Sequence, residues 1–186
     1  MNKFFAVVVS VLAASVTCSS AAVAQSAQPY SGMESRPIKA LSNQQVSDLK
    51  AGRGMGLALA AELNGYPGPS HLVELSGQLG LTPDQLSKLK GMFDAMKAET
   101  IPIGQRLITE EEHLDWLFAE NVISEQALEA ATQDIGETQA RLRNAHLRYH
   151  LQARAILQPS QIRRYAELRG YGAALQIPAH HHHHPE

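Results

Sequence analysis

The stretch Leu81-Thr82-Pro83-Asp84-Gln85 carries the residue types that start a helix. The threonine side chain can accept a hydrogen bond from a backbone N–H of the first turn, and the proline occupies a position where no N–H is needed. The glutamine can reach back to the threonine N–H and complete a capping box, while the leucines at 81 and 86 pack around the cap. We therefore expect a long helix to begin at Pro83.

The same kind of start occurs three more times along the chain. Leu41-Ser42-Asn43-Gln44-Gln45 is a second copy, and Leu157-Gln158-Pro159-Ser160-Gln161 is a degenerate copy in which glutamine replaces the capping threonine. A fourth start is centred on Ser124, which lies between the apolar pair Ile123 and Leu128. Capping boxes are common in helical proteins, so the repetition is more informative than any single copy.

Two long helices are predicted between these starts. The first extends from Pro83 to about Glu120, and Pro102 inside it removes a backbone hydrogen bond, so we expect a kink that bows this helix. The second begins at Ser124 and is ended by Pro159. Apolar side chains recur along it at intervals of seven and predict a seam between helices: Leu128, Ile135, Leu142, Tyr149 and Ile156.

Shorter helices are predicted on either side of this pair. Residues 43–63 are helical in tendency, but three glycines near Arg53 each cost about 1 kcal/mol relative to alanine and predict a break there. A short helix capped by Ser70 follows and ends at Gly80, and a last one spans residues 159–168. The predicted fold is all-α, a long antiparallel helical hairpin with shorter N- and C-terminal helices.

The N-terminus has the pattern of an export signal. Lys3 precedes an apolar run from Phe4 to Val16, and Ala22-Val23-Ala24 has the small residues that a signal peptidase requires. We expect residues 1–24 to be removed after Ala24 and the mature protein to be periplasmic. A lipoprotein anchor on Cys18 is the alternative, although the residues before it lack the usual leucine. Because no other cysteine exists, the mature chain would have no disulfide.

The rest of the chain divides into three parts by composition. Residues 25–41 are mostly small and polar and predict a disordered linker, residues 42–172 form the helical domain, and residues 173–186 form a flexible tail. The tail contains His180 to His184, which would bind Ni²⁺ or Zn²⁺. Two interpretations of this run stay open: a natural tail, which the following Pro185-Glu186 favours, and an added affinity tag.

No set of residues typical of catalysis is present. The mature chain has no thiol, no Gly-x-Ser-x-Gly turn and no His-Glu-x-x-His motif. The stretch from Gly52 to Gly56 contains Gly-x-Gly but follows no predicted strand, so a nucleotide loop is not expected. An exported chain of formal net charge −2 is also a poor candidate for binding nucleic acid. We expect a protein that is not an enzyme and requires no cofactor.

The best candidate site is a pair of histidines. His146 and His150 are four residues apart, share a helix face and can chelate one metal ion, although two ligands alone bind weakly. If the hairpin turns near residues 121–124, Asp94 lies opposite His150 and is the predicted third ligand for zinc or another divalent transition metal. The alternative is that His146 lies beside the apolar seam and His150 is an ordinary surface residue.

The two long helices carry more apolar side chains than the seam requires. Met92, Phe93 and Met96 precede the expected kink, and Leu147 and Leu151 lie off the seam. Methionine adapts to varied partners, so these five residues could line an exposed surface that binds unfolded segments. Ordinary core packing against the shorter helices is the alternative.

Charge is segregated along the second half of the chain. Residues 107–140 contain many acidic side chains and no lysine or arginine, whereas residues 141–169 contain seven arginines and a single glutamate. Such separation could steer partners or orient two copies in a homodimer. The alternative is a set of solvated helix faces.

The repeated capping phrases resemble those of the LTxxQ family of periplasmic proteins typified by Spy, CpxP and ZraP. The resemblance covers roughly residues 41–171 and rests on the motif positions Leu81, Thr82, Gln85, Leu157 and Gln161. It implies a curved dimer that acts without ATP as a holdase for unfolded envelope proteins. Members of this family also sense or sequester heavy metals, or inhibit a membrane sensor kinase, and these are the alternative functions that the resemblance implies.

Overall fold

Six helices make up the part of the protein that the structure, a computed structural model, describes, residues 29–171. The all-α prediction is confirmed, and residues 29–171 contain no strand. None of these helices is long and apolar enough to cross a membrane. In chain order they are α1 (Asn43–Lys50), α2 (Leu59–Glu62), α3 (Pro69–Glu74), α4 (Pro83–Ala119), α5 (Glu125–Ala155) and α6 (Pro159–Leu168).

The predicted helix starts are confirmed by their hydrogen bonds. Thr82 Oγ1 accepts from the Gln85 N–H at 3.2 Å, and the Gln85 side chain accepts from the Thr82 N–H at 3.0 Å. Ser42 and Gln45 form the same reciprocal pair at the start of α1. Each box satisfies backbone donors that the first turn of a helix leaves without partners.

The glutamines of two capping phrases also bind each other, which the sequence did not predict. The Gln85 side-chain amide donates to Gln161 Oε1 at 3.0 Å, and the Gln161 amide donates to Gln85 Oε1 at 3.1 Å. The Gln85 amide also donates to the Ile156 carbonyl at 2.7 Å, at the end of α5. The phrase therefore ties the starts of α4 and α6 together as well as capping them.

The two long helices, α4 and α5, pack against each other as the predicted hairpin. Ile135, Leu142 and Tyr149 of the seam are buried, whereas Leu128 near the start of α5 is exposed and Ile156 just beyond its end is half-buried. Two apolar cores flank the seam. One lies where α3 and α6 meet the hairpin and includes Leu72, Leu79, Leu89, Ala153, Leu157, Ile162 and Tyr165. The other includes Ile38, Leu49, Leu107, Ile108, Ile135 and Leu142.

The N-terminal part differs from the prediction in two places. Ile38 is buried in the second core, so the predicted linker already contributes to the folded body before Ser42. Helix α3 begins at Pro69 after an N-cap at Gly68, not at a Ser70 cap, and it ends at Glu74. Proline at the first helical position needs no N–H partner, which explains the earlier start. The predicted signal peptide and histidine tail lie outside the described residues.

The predicted break near Arg53 is confirmed. Gly52, Met55 and Gly56 all have positive φ, at 67°, 44° and 83°, so the chain cannot continue as a right-handed helix here. A Cβ on Gly52 would lie 2.8 Å from Thr100 Oγ1, so this turn packs directly on α4. Close packing recurs at Gly104, where a Cβ would lie 2.7 Å from the Leu49 carbonyl oxygen of α1. The Gly52 contact therefore places residues 51–56 against α4 near Thr100.

Candidate functional site

A cavity of about 630 Å³ lies beneath residues 51–56. We call it the histidine cavity, because His146 and His150 of α5 both line it. Helix α4 contributes Phe93, Met96 and Lys97 to its wall. Further lining comes from Glu62 of α2, from the start of α3 and from Arg169 and Tyr171 beyond α6. Five separate segments of the chain therefore meet around two histidines.

His146 is the more deeply buried of the two histidines, with 2% of its surface exposed. Its Nε2 is buried and has no hydrogen-bond partner among the described residues. Burial, and to a smaller extent the neighbouring His150, lowers the pKa of His146 below its usual value. The ring is therefore neutral at physiological pH and keeps one nitrogen lone pair. A Cβ on Gly54 would lie 3.5 Å from Nδ1, so glycine-rich backbone covers the other side of the ring.

His150 is buried too, and its ring orientation is fixed by a backbone contact. Its Nδ1 lies 2.7 Å from the Tyr66 carbonyl oxygen, an acceptor, so Nδ1 carries the hydrogen. In the neutral ring the lone pair then belongs to Nε2. A Cβ on Gly68 would lie 2.8 Å from this Nε2, so residue 68 has room for no side chain. A backbone carbonyl that sets the tautomer is the arrangement seen behind metal-binding histidines.

Glu62 is a buried carboxylate whose oxygens already have partners. Oε1 accepts from the Tyr165 and Tyr171 hydroxyls, the latter at 2.9 Å, and Oε2 accepts from the Gly68 N–H at 3.2 Å. Burial, followed by the hydrogen bond to Glu62, raises the pKa of Tyr165, so this hydroxyl stays protonated as a donor. His150 Nδ1 lies 3.8 Å from Oε2. The glutamate therefore ties α2 to α6 beside the histidines.

A third histidine lies at the rim of the cavity. His71 Nδ1 is 3.1 Å from Glu74 Oε2 within α3, and both side chains are substantially exposed. No companion for His71 was identified from the sequence alone. The spacing of three residues within a helix is the signal that could have found Glu74.

The structure does not place Asp94 with the two histidines, and that part of the predicted ligand set is corrected. Asp94 is exposed and is absent from the cavity wall, whereas its neighbours Phe93, Met96 and Lys97 line it. The hydrogen bonds Tyr149–Glu99 and Thr138–Glu110 show that the two helices pair about four residues further along α4 than predicted, so residue 94 does not lie opposite His150. Across residues 29–171, no three His, Cys, Asp or Glu side chains come together in a way that could hold a metal ion. A metal role for His146 and His150 stays a prediction.

The residues predicted to bind unfolded segments do not form one exposed surface. Met96 is buried, and Met92 packs against the first core. Phe93 and Leu147 are half-buried, and only Leu151 is well exposed, at 58% of its surface. Met92 therefore follows the core alternative, and Met96 is buried at the wall of the histidine cavity.

Large exposed apolar side chains lie instead around the turn of the hairpin. Trp116, Phe118 and Val122 have 51%, 54% and 54% of their surfaces exposed, among the acidic residues of the stretch 107–140. We call Trp116, Phe118, Val122 and Leu128 the apolar tip. Part of the basic stretch is engaged within the chain, since Arg148 Nη2 lies 2.5 Å from Glu99 Oε1 of α4. The charge-oriented dimer stays a prediction.

One family model matches the chain, over residues 54–164, and its description is heavy-metal resistance. No curated protein and no solved structure matched the chain. The matched range contains α2 to α5 and most of α6, and with them both histidines of the cavity. The match agrees with the resemblance carried by the capping phrases. The chain belongs to the heavy-metal resistance family, which includes the LTxxQ proteins.

Proposed function

We propose that this protein is an exported metal-stress protein that binds a transition-metal ion in the histidine cavity. The observation that carries the proposal is the buried, unpaired Nε2 of His146. A buried polar atom without a partner costs roughly 1–3 kcal/mol. An ion that accepts the lone pair would recover that cost, and imidazole is a common ligand of zinc, nickel and copper.

The surroundings of His146 support this proposal. His150 lies one helical turn away, lines the same cavity and has its tautomer set by the Tyr66 carbonyl. The cavity has room for an ion with bound water, which would complete the coordination that two protein ligands leave open. The family description, heavy-metal resistance, agrees with this chemistry.

Calorimetric titration with Zn²⁺, Ni²⁺ and Cu²⁺ tests the proposal. The chain should begin at Gln25 and carry serine at positions 180–184, so that the tail histidines do not contribute. We expect one ion per chain, and His146→Ala/His150→Ala should lower the affinity by at least about 10- to 100-fold. His113→Ala is the matched control, because His113 is exposed and stacks on Trp116 instead of lining the cavity. Equal affinity in the double variant would refute the site.

The apolar tip supports a second candidate function, that of an ATP-independent holdase for unfolded envelope proteins. Exposed aromatic and aliphatic side chains at one end of a rigid hairpin could cover apolar segments of a client. The client surface would then be the apolar tip, not Met92 and Met96.

Aggregation of a chemically denatured client, followed by light scattering without ATP, tests the holdase function. We expect suppression near a stoichiometric ratio, and Trp116→Ser/Phe118→Ser should weaken it without loss of helicity, since both side chains are exposed. Met92→Ser is the comparison, because it should lower stability instead. Unchanged client aggregation at several-fold excess of the wild type would rule out the holdase.

A further inference from the structure

Two methionines line the histidine cavity together with His146. Met96 enters from α4 and is buried, with 6% of its surface exposed, and Met55 comes from the glycine-rich stretch with 41% exposed. Met55 has φ of 44°, a left-handed conformation that costs a residue with a side chain roughly 1–2 kcal/mol. Its backbone is therefore held against local preference at the cavity wall.

The carboxylate oxygens near this cavity, which are hard donors, either have hydrogen-bond partners already or lie at or beyond the edge of the cavity. Glu62 already accepts hydrogen bonds from two tyrosines and a backbone N–H, so binding an ion would break them. Glu74 lies at the rim beside His71, and Asp94 is outside the wall. The donors left free inside are neutral: thioether sulfur and imidazole nitrogen. Such a set suits soft ions, whereas zinc in proteins is usually bound by four nitrogen, oxygen or thiolate ligands.

The wall has no surplus of negative charge that would attract a divalent ion. Three basic side chains line the cavity, Arg53, Lys97 and Arg169, against two acidic ones, Glu62 and Glu74. Arg53 is paired with Asp48 at 2.5 Å, and Lys97 lies 5.7 Å from the centre of the Phe93 ring. Arg169 Nε lies 4.0 Å from Glu62 Oε1, so these charges are largely balanced and leave no free anionic ligand. The cost of removing an ion from water rises with its charge, so a wall without free anionic ligands favours a monovalent ion.

We propose that the histidine cavity is a site for a soft monovalent cation, Cu(I) or its analogue Ag(I), held by sulfur of Met55 and Met96 and by Nε2 of His146. This inference rests on the proposed function and specifies its metal. No hard anionic ligand is needed, and the buried Nε2 gains its missing partner. His150, whose ring orientation is fixed by the Tyr66 carbonyl, lines the same cavity and supplies a further nitrogen.

Silver is the first probe, because Ag(I) is not redox-active and shares the ligand preference of Cu(I). Affinities for Ag(I) by calorimetry, and for Cu(I) by competition with a chromophoric Cu(I) chelator under anaerobic reducing conditions, should both exceed the affinity for Zn²⁺. The protein is the Gln25–Glu186 chain with serine at positions 180–184. Met55→Leu and Met96→Leu should each lower the affinity for Ag(I) by about tenfold or more. Leucine replaces methionine with little loss of stability in most cores.

Met92→Leu is the matched control, since Met92 packs in the first core and does not line the cavity. It should leave the affinity for Ag(I) unchanged. If Met96→Leu does not fold, by circular dichroism, the partly exposed Met55→Leu decides the question. Tighter binding of Zn²⁺ than of Ag(I), or equal Ag(I) affinity in both cavity variants, would overturn the soft-cation assignment while leaving the proposed function intact. Metal binding that survives His146→Ala would remove both.

Discussion

The two ends of the helical hairpin differ in what covers them. At the cavity end, α2, α3, α6 and the glycine-rich stretch pack over α4 and α5 and bury Glu62, His146 and His150. At the other end, aromatic side chains of the apolar tip stay exposed. A buried polar group lowers the stability of the fold unless it has a hydrogen-bond partner. An exposed aromatic side chain does not contribute the free energy that its burial would provide. The cavity end therefore has the enclosed polar groups that the proposed metal site requires, and the exposed tip has the side chains that the proposed holdase requires.

The largest contrast is expected between a core leucine and a tip aromatic. Leu89 is fully buried beneath the cavity end, so Leu89→Ala should cost about 2–5 kcal/mol in the free energy of unfolding. Phe118 is 54% exposed, so Phe118→Ala should stay within about 0.5 kcal/mol of the wild type. Urea denaturation measures both. A comparable loss in the two variants would mean that Phe118 is covered in solution, for example by a second copy.

A smaller effect is expected from one methyl group at the cavity. Gly68→Ala places a Cβ 2.8 Å from the His150 ring, and φ of −77° at this residue permits alanine, so the change isolates the steric contact. Overpacking of this kind costs about 1–3 kcal/mol.

Gly77→Ala is the control for that change, because a Cβ there meets nothing within 4 Å. It should be neutral or slightly stabilising in the same denaturation experiment. If Gly68→Ala is equally well tolerated, the backbone around the cavity is free to move and the histidines are not held in place.

The capping phrase should contribute less than the cavity contact. Thr82→Ala removes the acceptor of the Gln85 N–H and should cost about 1 kcal/mol, the usual scale for a lost cap. Gln158→Thr should stabilise, because it introduces the hydroxyl acceptor that this start lacks. Chemical denaturation compares the two. No loss in Thr82→Ala would show that the motif acts through the pairing of Gln85 with Gln161 alone.

The fold was largely predictable from the sequence, and the site was not. Capping residues, proline positions and the seven-residue seam act locally, so they indicated the starts of α4 and α5 to within a residue, whereas α5 ends at Ala155, before the predicted stop at Pro159. The pairing of His146 with His150 follows from helix periodicity for the same reason. Glu62, Tyr165 and Arg169 meet only through tertiary packing, across more than a hundred residues of chain, and nothing local marks them. The prediction for Asp94 failed because the position of the turn fixes neither the register of the two helices nor the rotation about their axes.

The smallest effect concerns a carboxyl on the hairpin, Glu111, which is buried within the acidic stretch. Burial, and then the charge of Glu110, raises the pKa of Glu111 above its usual value. The folded state therefore binds a proton more tightly than the unfolded state, and the free energy of unfolding falls as pH rises through the interval between the ordinary and the raised pKa of this carboxyl.

The variant Glu111→Gln removes this loss of stability. It should therefore be more stable than the wild type at pH 7 and equal to it near pH 3, where the carboxyl is protonated in both states. Glu112→Gln, at the exposed neighbour, should show no such difference. Urea denaturation at several pH values measures the free energy of unfolding of each variant. If the wild type instead becomes more stable than Glu111→Gln as pH rises, a partner from outside the described residues stabilises the carboxylate.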